Sequence, residues 1–286
     1  MFTFSKNRSG FFTVAKLMRY SILFVLLIGL SSWGEKAHQK INGSSVDFFP
    51  KELYGLKGWG PILANHGSDA DLRKKTDRTE FVKHFIDIDI YEDFIKKRKI
   101  EENFEAACVK YGKEKVIKNG TLPWVTDSTY KALVANFKSK NWNRAVLTAA
   151  DLGHYVGDGF MPLHITANYN GQLSNQTGIH RRYEETMIDK NIDRINFKTS
   201  EINKVPDVQL CIFNYLYKNH IYADLLLRAD DLSDQKTGIQ YSSIYYEDLW
   251  RMTNSFTVNL LQESSKTLAS LIYTAWIEAG KPQLPN

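Results

Sequence analysis

Residues 151–185 read DLGHYVGDGFMPLHITANYNGQLSNQTGIHRRYEE, and they hold three of the seven histidines in this 286-residue chain. His154 and Asp158 are four residues apart, and so are His180 and Glu184. On an α-helix, residues at i and i+4 lie on the same face, so each pair would place an imidazole beside a carboxylate. Nitrogen and oxygen ligands of this kind bind zinc. The stretch therefore predicts a metal site built by two helices, and the alternative is a set of polar residues on solvated helix faces.

The helix that carries the first pair is predicted to have two distinct stripes. One stripe is apolar and rich in small residues, which suits close packing of helices. Its members are Trp142, Ala145, Val146, Ala149, Ala150, Gly153 and Gly157. The other stripe contains Leu147, Asp151, His154 and Asp158 and would face a crowded polar interior. An unpaired carboxylate or imidazole is costly there, and a bound metal would remove that cost.

The first 32 residues resemble a secretory signal segment. Basic residues precede an apolar run at positions 21–30, and Ser31 and Ser32 form a small-residue end. The run is about half as long as a membrane-spanning helix requires, so cleavage is predicted, with an uncleaved anchor as the alternative. Cleavage after Ser32 would leave a mature domain at residues 33–286, exported to the periplasm or the cell exterior. No cysteine adjoins this point, so a lipid-anchored form has no attachment site.

Removal of this segment changes the charge balance of the chain. The full sequence has 37 Lys and Arg against 32 Asp and Glu, a net charge of +5. The segment holds four basic residues and no acidic ones, so the mature chain would have 33 against 32, a net charge of +1. That balance gives no support to a basic nucleic-acid groove. Cys108 and Cys211 could form one disulfide in an oxidising compartment, and no obligate protein partner or oligomeric state is evident from the sequence.

The rest of the sequence is helical in character. Periodicity together with start and stop signals predicts several helices. They cover residues 101–118, which Asn119-Gly120 closes, 129–138, 208–232 and 241–279. Asp127 and Ser128 offer an N-cap for the second of these, and residues 168–178 are predicted to form the loop between the two metal-bearing helices. Alternating strands and repeats of fixed period are absent, so the prediction is an all-α, single multi-helix domain.

A second polar region lies upstream at residues 64–89, ANHGSDADLRKKTDRTEFVKHFIDID. His84 is surrounded by large apolar residues, so it is predicted to be buried, either as a metal ligand or as a hydrogen-bonded core histidine. Asp69, Asp71 and Asp77 precede it in a polar stretch, for which a simple solvated turn is the alternative. Taken alone, this region offers candidate metal ligands, but its sequence does not show which of them bind a metal.

Several of these motifs occur together, and in the same order, in one known superfamily. They are Trp33 with His38, Asp69 with His84 in HFIDID, HYVGD followed by MPLH, and HRRYE. Over residues 33–184 the chain resembles the superfamily of zinc-dependent phospholipases C and single-strand-specific zinc nucleases. The resemblance implies an all-α fold that holds three zinc ions in one cleft.

The resemblance also implies which residues hold each zinc ion. One zinc would take Asp69, His84, His154 and Asp158; a second would take His164, His180 and Glu184; a third would take the α-amino group and carbonyl of Trp33 with His38 and Asp158. Asp158 would bridge two zinc ions, because one carboxylate offers two oxygens. Asp69 is also the candidate for orienting or deprotonating the attacking water. The amino group of Trp33 becomes a free donor only after cleavage, which would link export to activation.

The expected activity is zinc-dependent hydrolysis of a phosphodiester. Zinc lowers the pKa of a bound water toward ~7, and paired metal ions stabilise charge on the phosphoryl oxygens. With Glu184 and a short loop between His164 and His180, the sequence looks closer to the phospholipase C branch of this superfamily than to the nuclease branch. The resemblance thus favours phospholipase C-like chemistry on a phospholipid, and the alternative is a nuclease that acts on single-stranded nucleic acid. Asn168 and Asn170 are candidates for contact with the substrate phosphate, although loop asparagines often only make turns. A zinc-stabilised binding domain without catalytic activity is a more remote alternative.

Overall fold

The computed structural model of this protein describes residues 34–237 and 241–285, without the side chains of residues 236 and 237. The predicted signal segment and Trp33 therefore lie outside the described residues. The described ranges contain α-, 3-10 and π-helices and no β-strand, which confirms the predicted all-α fold. They belong to one compact unit, Ser31–Asn286. Among the helices in these ranges, none is both long enough and apolar enough to cross a membrane.

The α-helices of the described ranges differ greatly in length. In chain order they are α1 (Glu35–Ser44), α2 (Gly60–Asn65), α3 (Asp69–Arg73), α4 (Glu92–Lys97), α5 (Phe104–Tyr111), α6 (Lys113–Lys118), α7 (Leu122–Lys138), α8 (Trp142–Phe160), α9 (Ile179–Arg181), α10 (Ile188–Asn191), α11 (Val208–Asn219), α12 (Ile221–Thr237) and α13 (Ser243–Glu278). The 3-10 helices cover Ser45–Phe48, Lys51–Trp59, Phe81–Lys83, Ile88–Ile90, Pro162–His164 and Ile192–Arg194. A π-helix, Arg182–Met187, joins α9 to α10.

Helix α8 lies at the centre of the fold, where it packs against α1, α2, α3, α7, α11 and α13. Its predicted apolar stripe is buried, apart from the partly exposed Trp142. A Cβ atom at Gly153 would lie 2.2 Å from Oδ1 of Asn42 on α1 and 2.6 Å from Leu268 on α13, so the close approach requires glycine. Asn42 donates its side-chain amide to the carbonyl of Ala150 at 3.0 Å. This contact holds α1 against α8.

Two of the predicted helices are each divided in the structure. The predicted helix 101–118 is broken into α5 and α6 at Gly112, whose φ of 91° is a conformation that favours glycine. The predicted helix 208–232 is broken at His220, between α11 and α12. By contrast, α13 matches the predicted long helix closely, and residues 168–178 form the predicted loop.

The predicted start of a helix at Thr129 is wrong. Helix α7 already begins at Leu122, and Pro123 occupies its first turn. Proline is well suited to that position because its missing N–H would have no helical partner there. Asp127 and Ser128, the predicted N-cap, therefore lie inside the helix.

The core consists of two clusters of buried apolar side chains. The first is built mainly from α7, α8 and the C-terminal half of α13, and the second from α1, the segment after His180 and the N-terminal half of α13. The histidine-bearing segments lie where elements of these clusters meet. Cys108 and Cys211 are free thiols in the structure.

Candidate metal centre

Five histidines and two carboxylates gather in the interior of the molecule. They are His38 (0% exposed), His84 (3%), His154 (0%), Asp158 (0%), His164 (5%), His180 (6%) and Glu184 (0%). They come from α1, from the turn that follows Phe81–Lys83, from α8, from Pro162–His164, and from α9 with its π-helical continuation. Seven polar side chains in one buried region would be costly unless they satisfied each other or bound a cation.

These side chains, together with Asp71, form three groups whose potential ligand atoms lie within 4.8 Å of one another. The groups are His38 with His154 and Asp158, Asp71 with His84 and His154, and His164 with His180 and Glu184. Each group contains at least one imidazole nitrogen and one carboxylate oxygen, the donors that zinc takes in proteins. The structure thus brings together all the predicted ligands of the described residues except Asp69.

The carboxylate of Asp158 faces two sets of histidines through its two oxygens. Its Oδ2 lies 3.0 Å from Nδ1 of His84 and 3.4 Å from Nε2 of His154. Its Oδ1 lies 3.5 Å from Nε2 of His38 and 3.6 Å from Nδ1 of His164. Each oxygen of Asp158 therefore faces a different pair of histidines. This geometry is compatible with the bridging role that the sequence-based hypothesis gives to Asp158.

Asp69 does not join the cluster, and Asp71 lies there instead. Oδ2 of Asp69 is 2.7 Å from Nδ1 of His66, and both side chains are about 40% exposed. Oδ1 of Asp71 is 3.6 Å from Nδ1 of His84 and 3.6 Å from Nε2 of His154. Two residues on an α-helix differ in direction by about 200°, so Asp69 and Asp71 on α3 point to opposite sides. The geometry therefore favours Asp71 for the roles that the sequence analysis assigned to Asp69.

Three of the histidines are oriented by backbone carbonyls. The carbonyls accept hydrogen bonds from the Nδ1 atoms: Gly67 from His154 at 2.8 Å, His84 from His164 at 2.5 Å and Tyr169 from His180 at 3.0 Å. Each ring then presents Nε2 to the interior; that of His164 lies 3.3 Å from that of His180. A hydrogen bond to the outer nitrogen is the usual support of a metal-bound histidine, because it determines the tautomer and the ring orientation.

Two buried carboxylate oxygens provide a test of whether this site suits a cation. Oε1 of Glu184 and Oδ1 of Asp158 have no hydrogen-bond partner among the described residues, and both side chains are fully buried. Oε2 of Glu184 faces Nε2 of His180 at 2.5 Å. An orphaned carboxylate oxygen in the interior costs free energy that a bound cation would recover. A borderline-soft cation with nitrogen and oxygen ligands, such as zinc, fits this donor set.

Burial and mutual charge shift the pKa values of these groups in opposite directions. Burial, and then the charges of Asp158 and Asp71, hold the pKa of Glu184 well above its usual range. Burial also acts on Asp158, but His154 and His164 hold the pKa of that carboxyl well below its usual range. Burial lowers the pKa of His38 to about 4 and that of His164 to about 3.

His154 behaves differently from these two histidines. Burial opposes its charged form, but the charges of Asp158 and Asp71 raise the pKa of His154 to about 9. The cluster therefore carries concentrated negative charge that attracts a proton or a metal cation at the same place.

The sequence analysis named Asp71 in the upstream polar stretch but assigned the ligand role to Asp69, and it did not consider Lys74. Nζ of Lys74 lies 2.5 Å from Oδ1 of Asp71, and the lysine side chain is 13% exposed. The lysine follows Asp71 by three residues, which places both on one side of the chain at the end of α3. The Asp-x-x-Lys spacing was a usable signal, but it is common on solvated helices. Lys74 places a cation beside the carboxylate cluster.

The loop asparagines mainly shape the loop itself. Asn168 accepts a hydrogen bond from the backbone of Leu173 at 2.8 Å and donates one to Ser174 at 3.0 Å. The side-chain oxygen of Asn170 accepts a hydrogen bond from the backbone of Gly178 at 3.0 Å. A role of Asn168 or Asn170 in substrate binding stays a prediction. The same holds for Trp33 as a ligand, since it lies outside the described residues.

No family model matches this chain, and no curated protein sequence does. Solved structures with a similar fold include two alpha-toxins. The alpha-toxin of Clostridium absonum matches with a TM-score of 0.55 at 12% sequence identity, and that of Clostridium perfringens from an avian strain with 0.54 at 13%. Both matches cover 86% of this chain and 64% of the toxin chain. The protein therefore spans just under two thirds of the toxins' length. At this identity the likeness shows a shared fold.

Proposed function

We propose that this protein is an exported zinc-dependent phosphoric diester hydrolase with phospholipase C-like activity. The observation that carries the proposal is the buried convergence of three His/carboxylate groups around Asp158. A fold shared with the alpha-toxins over 86% of the chain supports it. So does the placement of Lys74 beside Asp71, because a phosphodiester is an anion and needs a cationic surface.

The residues of these groups would hold three zinc ions per chain. In this proposal one zinc is held by Asp71, His84, His154 and Asp158, a second by His164, His180 and Glu184, and a third by His38, Asp158 and the Trp33 terminus. Bound zinc would supply an activated water at neutral pH and positive charge for the phosphoryl oxygens. Asp71 replaces Asp69 both as a ligand and as the carboxylate that orients the attacking water.

The chain's own residues would arrange the substrate and the proton. Asp71 sits at the edge of the cluster, with 18% of its side chain exposed, so it can reach a water that enters from solvent. Lys74, beside it, would attract the substrate phosphate and would leave Asp71 when that phosphate arrives. Asp158 and Glu184 are fully buried, and their role is to hold charge rather than to contact substrate.

The link between export and activation is a separate part of the proposal. An α-amino group at Trp33 exists only after cleavage at Ser32, and Gly34, the next residue, leads directly into α1 and His38. Intact-mass analysis of the exported protein tests this step, and we expect a chain that begins at Trp33 and holds about three zinc ions. A mature chain that begins elsewhere would remove the Trp33 ligand from the proposal.

A substrate panel tests the activity itself. Zinc-loaded exported protein would be given phosphatidylcholine vesicles, single-stranded DNA and a chromogenic phosphodiester, with Glu184→Gln as the inactive control. We expect release of the phosphorylated head group from the vesicles and its loss in the variant. Cleavage of DNA alone would favour the nuclease alternative. Full zinc loading with no hydrolysis of any phosphodiester would favour a zinc-stabilised binding domain.

A further inference from the structure

A buried carboxylate lies just outside the three ligand groups. The side chain of Glu80 is 2% exposed. Its Oε1 accepts a hydrogen bond from the hydroxyl of Tyr155 at 2.5 Å, and its Oε2 accepts one from Nζ of Lys83 at 2.7 Å. Nη2 of Arg73 lies 3.4 Å from Oε1. Two cations and a hydroxyl thus stabilise a negative charge at this position in the interior.

The imidazole of His84 lies between Glu80 and the ligand cluster. Nδ1 of His84 faces inward, 3.0 Å from Oδ2 of Asp158 and 3.6 Å from Oδ1 of Asp71. Nε2 faces outward, 3.7 Å from Oε1 of Glu80, and this buried nitrogen has no hydrogen-bond partner among the described residues. A separation of 3.7 Å is longer than a hydrogen bond. Glu80 is nevertheless the carboxylate that Nε2 of His84 faces.

The contacts of Glu80 also connect the segments that carry one group of ligands. Arg73 lies two residues after Asp71 on α3, and Tyr155 follows His154 on α8. Arg73 reaches α8 a second time, because Nη1 lies 2.9 Å from Oδ1 of Asp151. The segment that bears His84 is joined to both helices through Glu80. Displacement of this carboxylate would loosen three ligand-bearing segments together.

We propose that Glu80 is a positioning residue for the zinc held by Asp71, His84 and His154. With zinc bound it would accept the Nε2–H of His84, which leaves Nδ1 as the nitrogen that faces the metal. Through Tyr155 and Arg73 it also connects α8 and α3 to the segment that carries His84. A carboxylate beyond a metal-bound histidine also makes the ring a more basic ligand. The inference rests on the proposed zinc-dependent function and assigns to Glu80 a part in it that the ligand motifs do not contain.

The first test compares Glu80→Gln with Asp151→Asn in the exported protein. Both variants remove one negative charge that contacts Arg73, but only Glu80 faces His84. Zinc content and affinity would be measured by titration against a chromophoric chelator. We expect Glu80→Gln to weaken one zinc of the three by about 10–100-fold, and Asp151→Asn to retain wild-type binding at all sites. Equal zinc affinities in Glu80→Gln and wild type would overturn the inference.

A second measurement needs no substitution, and so it holds even if Glu80→Gln does not fold. In zinc-loaded wild-type protein labelled with ¹⁵N-histidine, the nitrogen shifts of His84 report which nitrogen carries the proton. We expect a proton on Nε2 and a metal-bound Nδ1. A proton on Nδ1 with Nε2 bound to metal would overturn the inference while leaving the zinc enzyme intact. A wild-type protein that binds no zinc would overturn both the inference and the proposed function.

Discussion

Arg182 and Asp230 form an ion pair that is almost completely buried, with Nη2 2.9 Å from Oδ1 and only 10% and 4% of the two side chains exposed. Arg182 lies between the candidate ligands His180 and Glu184 in sequence and extends away from them. It also donates hydrogen bonds to the carbonyl of Thr177 at 2.9 Å and to that of Gln176 at 3.2 Å. The pair therefore anchors the end of the loop 168–178 and the π-helix to α12.

Asp230→Asn should strongly destabilise the protein. The substitution leaves the charge of Arg182 in the interior without its counterion, and removal of one partner of a buried pair costs about 3–5 kcal/mol. The matched control is Asp231→Asn on the same helix, because Asp231 is exposed and contacts only Gln235 among the hydrogen bonds described for it. That variant should change the free energy of unfolding by less than about 0.5 kcal/mol. Denaturant unfolding of both proteins measures the difference, and equal midpoints would contradict the anchoring role.

Asp71→Asn should remove zinc from one site, whereas Asp69→Asn should not. Asp71 faces His84 and His154, while Asp69 pairs with the half-exposed His66 at the surface. The two substitutions make the same chemical change two positions apart on α3, so each controls for the other. Zinc content and hydrolysis of a chromogenic phosphodiester are the measurements. Loss of zinc in Asp69→Asn with full zinc in Asp71→Asn would restore the original assignment of Asp69.

Asp158→Asn should damage the centre more than His38→Ala. Asp158 contacts four histidines through its two oxygens, whereas His38 contributes one nitrogen to one group. Loss of the negative charge would leave the two proposed zinc ions beside it less compensated. We expect Asp158→Asn to hold at least one zinc fewer than His38→Ala and to show lower turnover. The same zinc content and the same turnover in the two variants would exclude a bridging role.

The candidate metal centre was predictable from sequence where helix geometry converts spacing directly into position. His154 with Asp158, and His180 with Glu184, needed only the i, i+4 rule to be placed on one face each. The all-α fold followed in the same way from periodicity and from the absence of alternating strands. These features are local, so no knowledge of tertiary packing was required for them.

Local sequence could not determine which of Asp69 and Asp71 faces the cluster. Both are acidic residues of the short helix α3, and which of them faces the interior depends on how α3 packs against α8. Glu80 presents the same difficulty, because its contact with Tyr155 joins residues 75 positions apart. Sequence spacing carries no information on such pairs, so tertiary structure was needed to find them.

Chelation of zinc should lower the melting temperature and release the loop 168–178 first. His164 and His180 flank this loop, and their Nε2 atoms, 3.3 Å apart, would share one zinc with Glu184. A ligand present at 1,000 times its Kd stabilises the folded state by about 4 kcal/mol, which corresponds to about 8–16 °C for a domain of this size. Thermal unfolding and limited proteolysis, with zinc-saturated chelator as the control, measure both effects. An unchanged melting temperature and an equally resistant loop would show that these residues hold no structural metal.

Two neighbouring aspartates outside the metal groups have opposite environments. Burial, and then the charge of Asp89, raise the pKa of Asp87 to about 7, and its Oδ1 is buried with no hydrogen-bond partner among the described residues. Asp89 accepts hydrogen bonds from Thr166 at 2.6 Å and from the backbone of Ala167 at 2.9 Å. Although burial opposes it, hydrogen bonds from His220, Thr166 and Ala167 keep the pKa of Asp89 below its usual value.

Asp87→Asn and Asp89→Asn should therefore change stability in opposite directions at neutral pH. The folded state disfavours ionised Asp87. The contribution of this side chain to the free energy of unfolding is therefore most favourable below the unfolded pKa of ~3.9, and it is lost as pH rises toward about 7. Asp87→Asn should remove this loss and stabilise the protein by about 1–2 kcal/mol at pH 7.5. The pKa difference alone would give about 4 kcal/mol, but the side chain is partly exposed, so the effect should be smaller. Asp89→Asn should destabilise it there. The difference between Asp87→Asn and wild type should shrink toward pH 4, whereas that between Asp89→Asn and wild type should be lost only below about pH 4, as pH falls through the depressed folded pKa of Asp89. Denaturant unfolding across this range, with chelator present so that metal release does not contribute, measures the curves, and a gap between Asp87→Asn and wild type that is independent of pH would contradict the raised pKa of Asp87.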